Sequence, residues 1–168
     1  MIRLERLRPD HADALLAFER ANRAYFARTI PDRGDAYFTD FPARHAALLA
    51  EQEAGVCHFH VILTPDGTLA GRINLVDVAS GTAELGYRVG ERFTGRGVAK
   101  AAVREVCRLA ADTYGLSALT ARTTLTNPAS MAVLTATGFT PLGETPVGGR
   151  PGMRYERRLT ASRPRQGR

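Results

Sequence analysis

Apolar and polar positions alternate along this chain in two rhythms, and the switches between them mark its elements. Residues 2–7 read as a short strand. Asp10 reads as a helix N-cap with Asp13 in the capping-box position, and Leu15, Leu16 and Phe18 follow at near-helical spacing, predicting a helix over 10–26. The run Thr29-Ile30-Pro31-Asp32-Arg33-Gly34-Asp35 is turn chemistry. A second helix is expected over 39–53, with Phe41, Leu48 and Leu49 apolar. The period then drops to two. Cys57, Phe59, Val61 and Leu63 alternate with His58, His60 and Ile62. Pro65-Asp66-Gly67 turns into a strand through Ile73, Leu75, Val76 and Val78, and Ser80-Gly81 turns into a third strand over 82–89. Three strands on short links form an antiparallel meander.

A glycine-rich loop spans Gly90 to Gly97 and opens the clearest helix. Val98, Ala102, Val106 and Leu109/Ala110 share one face, while Arg104, Glu105, Arg108 and Asp112 lie on others. Tyr114-Gly115 ends it. Residues 118–125 alternate as a strand, and Asn127-Pro128 opens a further helix that Gly138 closes. Residues 139–147 and 152–159 are the last two strands. The order β-α-α-β-β-β-α-β-α-β-β predicts a mixed α/β (α+β) domain over 1–159 with about seven strands. Residues 160–168 are expected to be a basic, disordered tail.

Composition narrows the classes. A chain of 168 residues buries roughly 70% of its unfolded surface, enough for one core. No run approaches the ~18 apolar residues of a membrane helix, and Met1 to Arg6 holds no apolar signal segment. Cys57 and Cys107 lie far apart and read as two reduced core thiols, so a cytoplasmic location is expected. His58 and His60 form an H-x-H pair without a well-spaced third ligand, so no metal is expected. The net charge of +6 invites a nucleic-acid reading. However, residues 154–168 carry six Arg against one Glu, which leaves about +1 for residues 1–153. No reader motif accompanies the charge, so specific nucleic-acid binding is not expected.

A strand, then glycines, then a helix is anion-binding architecture, because the free amides of a helix's first turn point out of its positive end. Residue types separate the users of this device. A nucleotide P-loop needs Lys-Ser/Thr after its second glycine, where this chain has Arg96-Gly97. A dinucleotide fingerprint fails because Lys100 takes the third glycine position, and because a meander precedes the loop instead of a βαβ unit.

The segment from Glu84 to Ala99 resembles the acetyl-CoA site of the GNAT superfamily of N-acetyltransferases, whose signature is Q/R-x-x-G-x-G/A. Arg92-Phe93-Thr94-Gly95-Arg96-Gly97 matches it literally. Spacing from the strand favours Thr94-Gly95-Arg96-Gly97-Val98-Ala99, with Thr94 replacing Q/R. Downstream, Asn127-Pro128-Ala129-Ser130 with Leu134, Gly138 and Phe139 is similar to the family's next helix. Upstream, Asn22 to Phe26 with Tyr37-Phe38-Thr39 resembles the RimJ/RimL branch, whose members acetylate protein N-termini, ribosomal proteins among them.

The resemblance implies a GNAT fold with a central, mostly antiparallel sheet flanked by helices. It implies acetyl-CoA as cosubstrate, wedged between splayed parallel strands 82–89 and 118–124. Backbone at Tyr87 and Val89 would pair with pantetheine, the amides of Gly95, Arg96, Gly97, Val98 and Ala99 would hold the pyrophosphate, and Asn127 would touch the cofactor. Glu84 is the candidate general base through water, and Ser130 a candidate for bonding the cofactor sulfur. Many family members carry a tyrosine acid where this chain has Leu134. Tyr25, Phe26, Arg33 and Tyr37 are candidates to line the acceptor site. The implied acceptor is a protein or peptide N-terminus, a ribosomal protein among the candidates. The alternatives are a small-molecule amine (an amino acid or antibiotic) and a silent acyl-CoA-binding module. The partner expectation is a monomer or homodimer with no membrane association.

Overall fold

The computed structural model describes residues 1–162. The tail expected over 160–168 therefore lies mostly outside the described residues. Seven strands form one sheet in the order β1-β2-β3-β4-β5-β7-β6. They are β1 (Arg3–Arg6), β2 (His58–Leu63), β3 (Leu69–Ala79), β4 (Thr82–Val89), β5 (Ala118–Thr124), β6 (Thr140–Val147) and β7 (Arg150–Arg158). Every neighbouring pair is antiparallel except β4 and β5, which run parallel.

Helices cover both faces. On one, α1 (Ala12–Ala21), α3 (Asp35–Thr39) and α4 (Phe41–Glu53) pack on β2 and β3 through Leu15, Tyr37, Phe41, Phe59 and Val61. On the other, α5 (Val98–Asp112) and α6 (Pro128–Ala136) bury Val103, Val106 and Leu134 against Ile73, Leu75 and Leu119. The two faces explain β2, whose six residues are all buried. Its alternation separates two cores, not a core from solvent.

Three local expectations are corrected. The helix expected over 10–26 is a 3-10 turn at Pro9–His11, then α1, then a short α2 (Arg23–Phe26). Asn22 breaks it at φ −103, ψ 6. Asp10 is not the N-cap, because its carboxylate accepts from Arg8 Nε at 3.0 Å while the α1 N-cap, His11, makes no side-chain cap bond. The helix expected over 39–53 is α3 followed by α4, with Pro in the first turn of α4. His58 and His60 are taken up by Tyr114. The His58 ring stacks on it at 3.7 Å, and Tyr114 Oη lies 2.6 Å from His60 Nε2.

Candidate active site

The parallel pair sets the geometry. β4 and β5 pair only from Thr82↔Ala118 to Leu85↔Ala121. Beyond that point β4 stays bonded to β3 as far as Val89↔Gly71, and β5 to β7 as far as Thr124↔Gly152. The two strands therefore part company, and residues 86–89 and 122–124 face an opening with unused ladder positions.

Two cavities meet at this opening. The first, about 370 Å³, lies on the glycine-loop side and is lined by Tyr87, Val89, Thr94, Ala99, Asn127 and Ser130, among others. The second, about 320 Å³, reaches the β6–β7 hairpin and includes Gly86, Arg122, Leu134 and Arg150. Thr29, Ile30, Tyr87, Asn127 and Ser130 line both, so the cavities share a wall at the mouth of the strand opening.

The glycine loop ends in a turn whose amides are free. Gly95 and Gly97 sit at φ +72 and +75, the left-handed region that disfavours side chains, and a Cβ at either would meet nothing within 4 Å. The amides of residues 95–100 donate to no acceptor among the described residues. No acidic residue stands in the first turn of α5, whose positive end therefore faces open space. This arrangement fits a diphosphate. Val98 turns its side chain into the core, which leaves only its amide for a ligand. The Arg96 side chain is exposed. Thr94 spends its hydroxyl on Glu91 O at 2.8 Å, closing the preceding turn. Asn22 anchors the loop from α1, taking the Glu91 amide on Oδ1 at 2.9 Å.

Asn127 caps α6, its Oδ1 accepting from Ser130 N at 3.2 Å; the residue lines both cavities, and its Nδ2 has no partner among the described residues. Ser130 Oγ lies 3.0 Å from Tyr87 Oη, a hydrogen bond that bridges β4 and α6 across the opening. Burial pushes the Tyr87 phenol above its ordinary value, and the Ser130 bond pulls partly against this.

The remaining candidates fall in different places. Glu84 sits one residue before the strands part, where Oε1 accepts from Arg122 Nε at 2.6 Å. It lines neither cavity. Tyr25 and Phe26 line the first cavity. Arg33 and Tyr37 line neither. Arg33 lies over the Tyr37 ring at 4.6 Å, and Tyr37 Oη accepts from Arg72 Nη1 at 3.3 Å.

That contact belongs to a buried charge cluster that sequence reasoning missed. Glu19, 1% exposed, accepts from Arg72 Nη1 at 3.3 Å and Arg88 Nη1 at 3.2 Å. A signal was present: Leu15, Phe18 and Glu19 share one buried helical stripe, and a carboxylate on such a stripe demands a cation. The loop residues Thr29, Ile30 and Pro31 were also missed as cavity lining, since turn composition says nothing about what a turn covers. Among the described residues no carboxylate lines either cavity, whereas Arg28, Arg88, Arg122 and Arg150 do. Among the described residues no group of three or more His, Cys, Asp or Glu could hold a metal, and no helix is long and apolar enough to cross a membrane.

The family model of the acetyltransferase (GNAT) domain matches residues 2–140. No curated protein matches the chain. Among solved structures, the ribosomal-protein-S5-alanine acetyltransferase from Vibrio fischeri superposes with a TM-score of 0.88 at 17% identity, over 97% of this chain and 96% of that one. A RimL ribosomal L7/L12 α-N-protein acetyltransferase in complex with coenzyme A gives 0.85 at 18% identity, over 96% of each chain. Mycobacterium smegmatis RimJ, in complex with a CoA disulfide, gives 0.84 at 24% identity, over 94% of this chain and 81% of that one. At these identities the superpositions speak for the fold. The family match, running from β1 to the start of β6, is what makes the chain a member of the GNAT acetyltransferases, and so an acyltransferase.

Proposed function

We propose that this protein transfers the acetyl group of acetyl-CoA directly to the α-amine of a peptide or protein N-terminus, with ribosomal proteins as candidate acceptors. The observation that carries the reading is the pair of cavities meeting where β4 and β5 part. Acetyl-CoA takes the first. Its pyrophosphate lies on the free amides of residues 95–99, and its pantetheine pairs with the open edge of β4 at Tyr87 and Val89 beside Asn127. The acceptor enters through the second, and the amine meets the thioester at the shared wall.

The second cavity's chemistry supports an α-amine. Attack requires a neutral amine. An α-amino group, pKa ~7.7–8.0, is roughly 10–15% neutral at pH 7, whereas an amine near pKa ~10.4 is roughly 0.04% neutral. With no carboxylate among the described residues lining the cavity to take a proton, the α-amine has an advantage of about 300-fold. A polycationic amine would also meet Arg122 and Arg150 with no carboxylate among the described residues lining the cavity to receive it. Glu84 is the proposed base through water, acting from its ion pair with Arg122.

Calorimetry with acetyl-CoA, followed by thiol release with a peptide panel, tests the reading. Binding should be seen first, and N-terminally free peptides should outrun lysine side chains of N-terminally blocked peptides at pH 7. No binding at millimolar acetyl-CoA overturns it.

A further inference from the structure

The two faces of β4 carry different chemistry. Ala83, Leu85, Tyr87 and Val89 pack on the core beneath α5 and α6. Glu84, Gly86 and Arg88 alternate with them and face the side of α1 and α2. There the Arg88 guanidinium lies 3.2 Å from Glu19 Oε2 and 4.9 Å from the centre of the Phe26 ring. A Cβ at Gly86 would meet nothing within 4 Å. Along this face a carboxylate, an open step and a guanidinium therefore follow one another, with Gly86 on the second cavity and Arg88 on the first.

Arg88 is under-compensated. Among the described residues Glu19 is the one carboxylate within 4 Å of Arg72 or Arg88, so a single negative charge serves two largely buried guanidinium groups. Burial, and next the nearby charge of Arg33, pull the Arg88 pKa below its ordinary value, and Glu19 offsets this only in part. Arg88 makes its contact with Glu19 through Nη1, while Nε and Nη2 bond nothing among the described residues. The buried side-chain polar atoms without a partner belong to His45, His58 and Asn74 among those residues, and none belongs to Arg88. Its unused donors therefore reach solvent. Arg88 lines the first cavity and a hollow of about 10 Å³ beneath α2, and only the first has room for more than a water.

On the reading that the acceptor is a peptide α-amine, we infer that Arg88, backed by Glu19, selects N-termini whose first or second residue carries a carboxylate side chain. The acceptor lies over Gly86, with its amine toward Glu84 and its carboxylate toward Arg88. Gly86 to Arg88 is about 6.6 Å along the strand. A carboxylate on the first or second residue of an extended peptide spans that distance from the amine. The diphosphate site at the start of α5 is on the opposite face of the sheet, so its amides and Arg88 serve different anions. Arg122 and Arg150 on the second cavity give the entering acidic segment the same sign of field.

The test uses C-terminally amidated peptides that differ only in Asp against Asn at residue 1 or residue 2, with acetyl-CoA saturating. Wild type should prefer Asp by about tenfold in kcat/KM at one of these positions, chiefly through KM, the size of a charge-assisted hydrogen bond. Arg88→Gln should bring the Asp/Asn ratio to about one. Glu19 keeps Arg72 as its partner in this variant, so the fold should survive. Arg88→Met, which keeps an apolar stem over Phe26, should collapse the ratio in the same way. A merely structural role would slow both peptides alike and leave the ratio standing. Equal rates on Asp and Asn peptides by wild type overturn the inference without any variant. A ratio that survives Arg88→Gln but falls in Arg150→Gln overturns it too, because the carboxylate is then read on the hairpin. So does an Arg88→Gln protein that binds acetyl-CoA about tenfold more weakly with its peptide ratio unmoved, because Arg88 then serves a cofactor phosphate. No turnover of any peptide by an acetyl-CoA-bound wild type overturns the α-amine reading and this inference with it, whereas turnover without discrimination overturns this inference alone.

Discussion

Placing a carboxylate at the N-terminus of α5 tests the anion site with its own internal control. Gly97 is the N-cap of α5 at φ +75, ψ 10, and a Cβ there would meet nothing within 4 Å. Gly97→Ala therefore adds strain without a clash. A left-handed non-glycine residue costs about 1–2 kcal/mol, which in a protein of this size lowers Tm by about 4 °C. Gly97→Glu carries the same strain and adds a negative charge among the amides of residues 95–100, which have no partner among the described residues. At roughly 6 Å and an effective dielectric of about 40, each phosphate charge is repelled by about 1.4 kcal/mol, so two give about 2.8 kcal/mol, or about 100-fold in Kd. The assay is a matched pair of thermal melts and acetyl-CoA titrations. Both variants should melt within a few degrees of each other. Only Gly97→Glu should bind acetyl-CoA about 100-fold more weakly, with part of the loss recovered at high salt. Equal weakening by alanine and glutamate would mean that loop shape matters and anion recognition does not. No weakening by glutamate would place the diphosphate elsewhere.

Three more outcomes follow from other parts of the molecule. Glu19→Gln leaves Arg72 and Arg88 buried without their counter-charge, so unfolding free energy should fall by about 3–5 kcal/mol and Tm by about 10 °C, read by calorimetry. His60 is held down to about 4 chiefly by burial, below its unfolded value of ~6.5. The unfolded chain therefore binds the extra proton first. Stability present above pH 6.5 should be lost by about 3 kcal/mol as pH falls to 4, and His60→Gln should flatten that slope in urea titrations. Asn22→Ala removes the bond to the Glu91 amide, which should raise the acetyl-CoA Kd several-fold with little change in kcat once cofactor saturates.

Whether a feature could be read from the sequence depended on whether it was local. All seven strands, the α5 stripe and the Asn127 cap follow from short-range periodicity and turn chemistry, and each appears in the structure. The glycine loop was legible because its residues do their work through backbone conformation, which Gly95 and Gly97 announce by themselves. Side-chain partnerships across the fold were not legible. Glu84 finds Arg122 38 positions away, and Tyr87 finds Ser130 43 positions away. No periodicity encodes such pairings, because they depend on where β4 and β5 stop pairing. The split of the first helix was hidden for a similar reason. Asn22 ends α1 while anchoring a loop residue 69 positions later.

Charge shows how far a total can mislead about a site. Residues 1–153 sum to about +1, yet among the described residues four arginines line the two cavities and no carboxylate does. The compensating acids stand one step back. Glu91 faces Arg28 at 3.8 Å, Glu19 holds Arg88 at 3.2 Å and Glu84 holds Arg122 at 2.6 Å. Each of these acids stands beside an arginine of the lining without itself lining either cavity. The protein thus builds a cationic lining on a nearly neutral body. Arg150, on the hairpin edge of the second cavity, has no acidic partner among the described residues. An acceptor with a carboxylate or acidic side chain near its amine would complete that pairing. Net charge at the level of the chain is therefore silent on the acceptor, while the placement of acids behind arginines is informative.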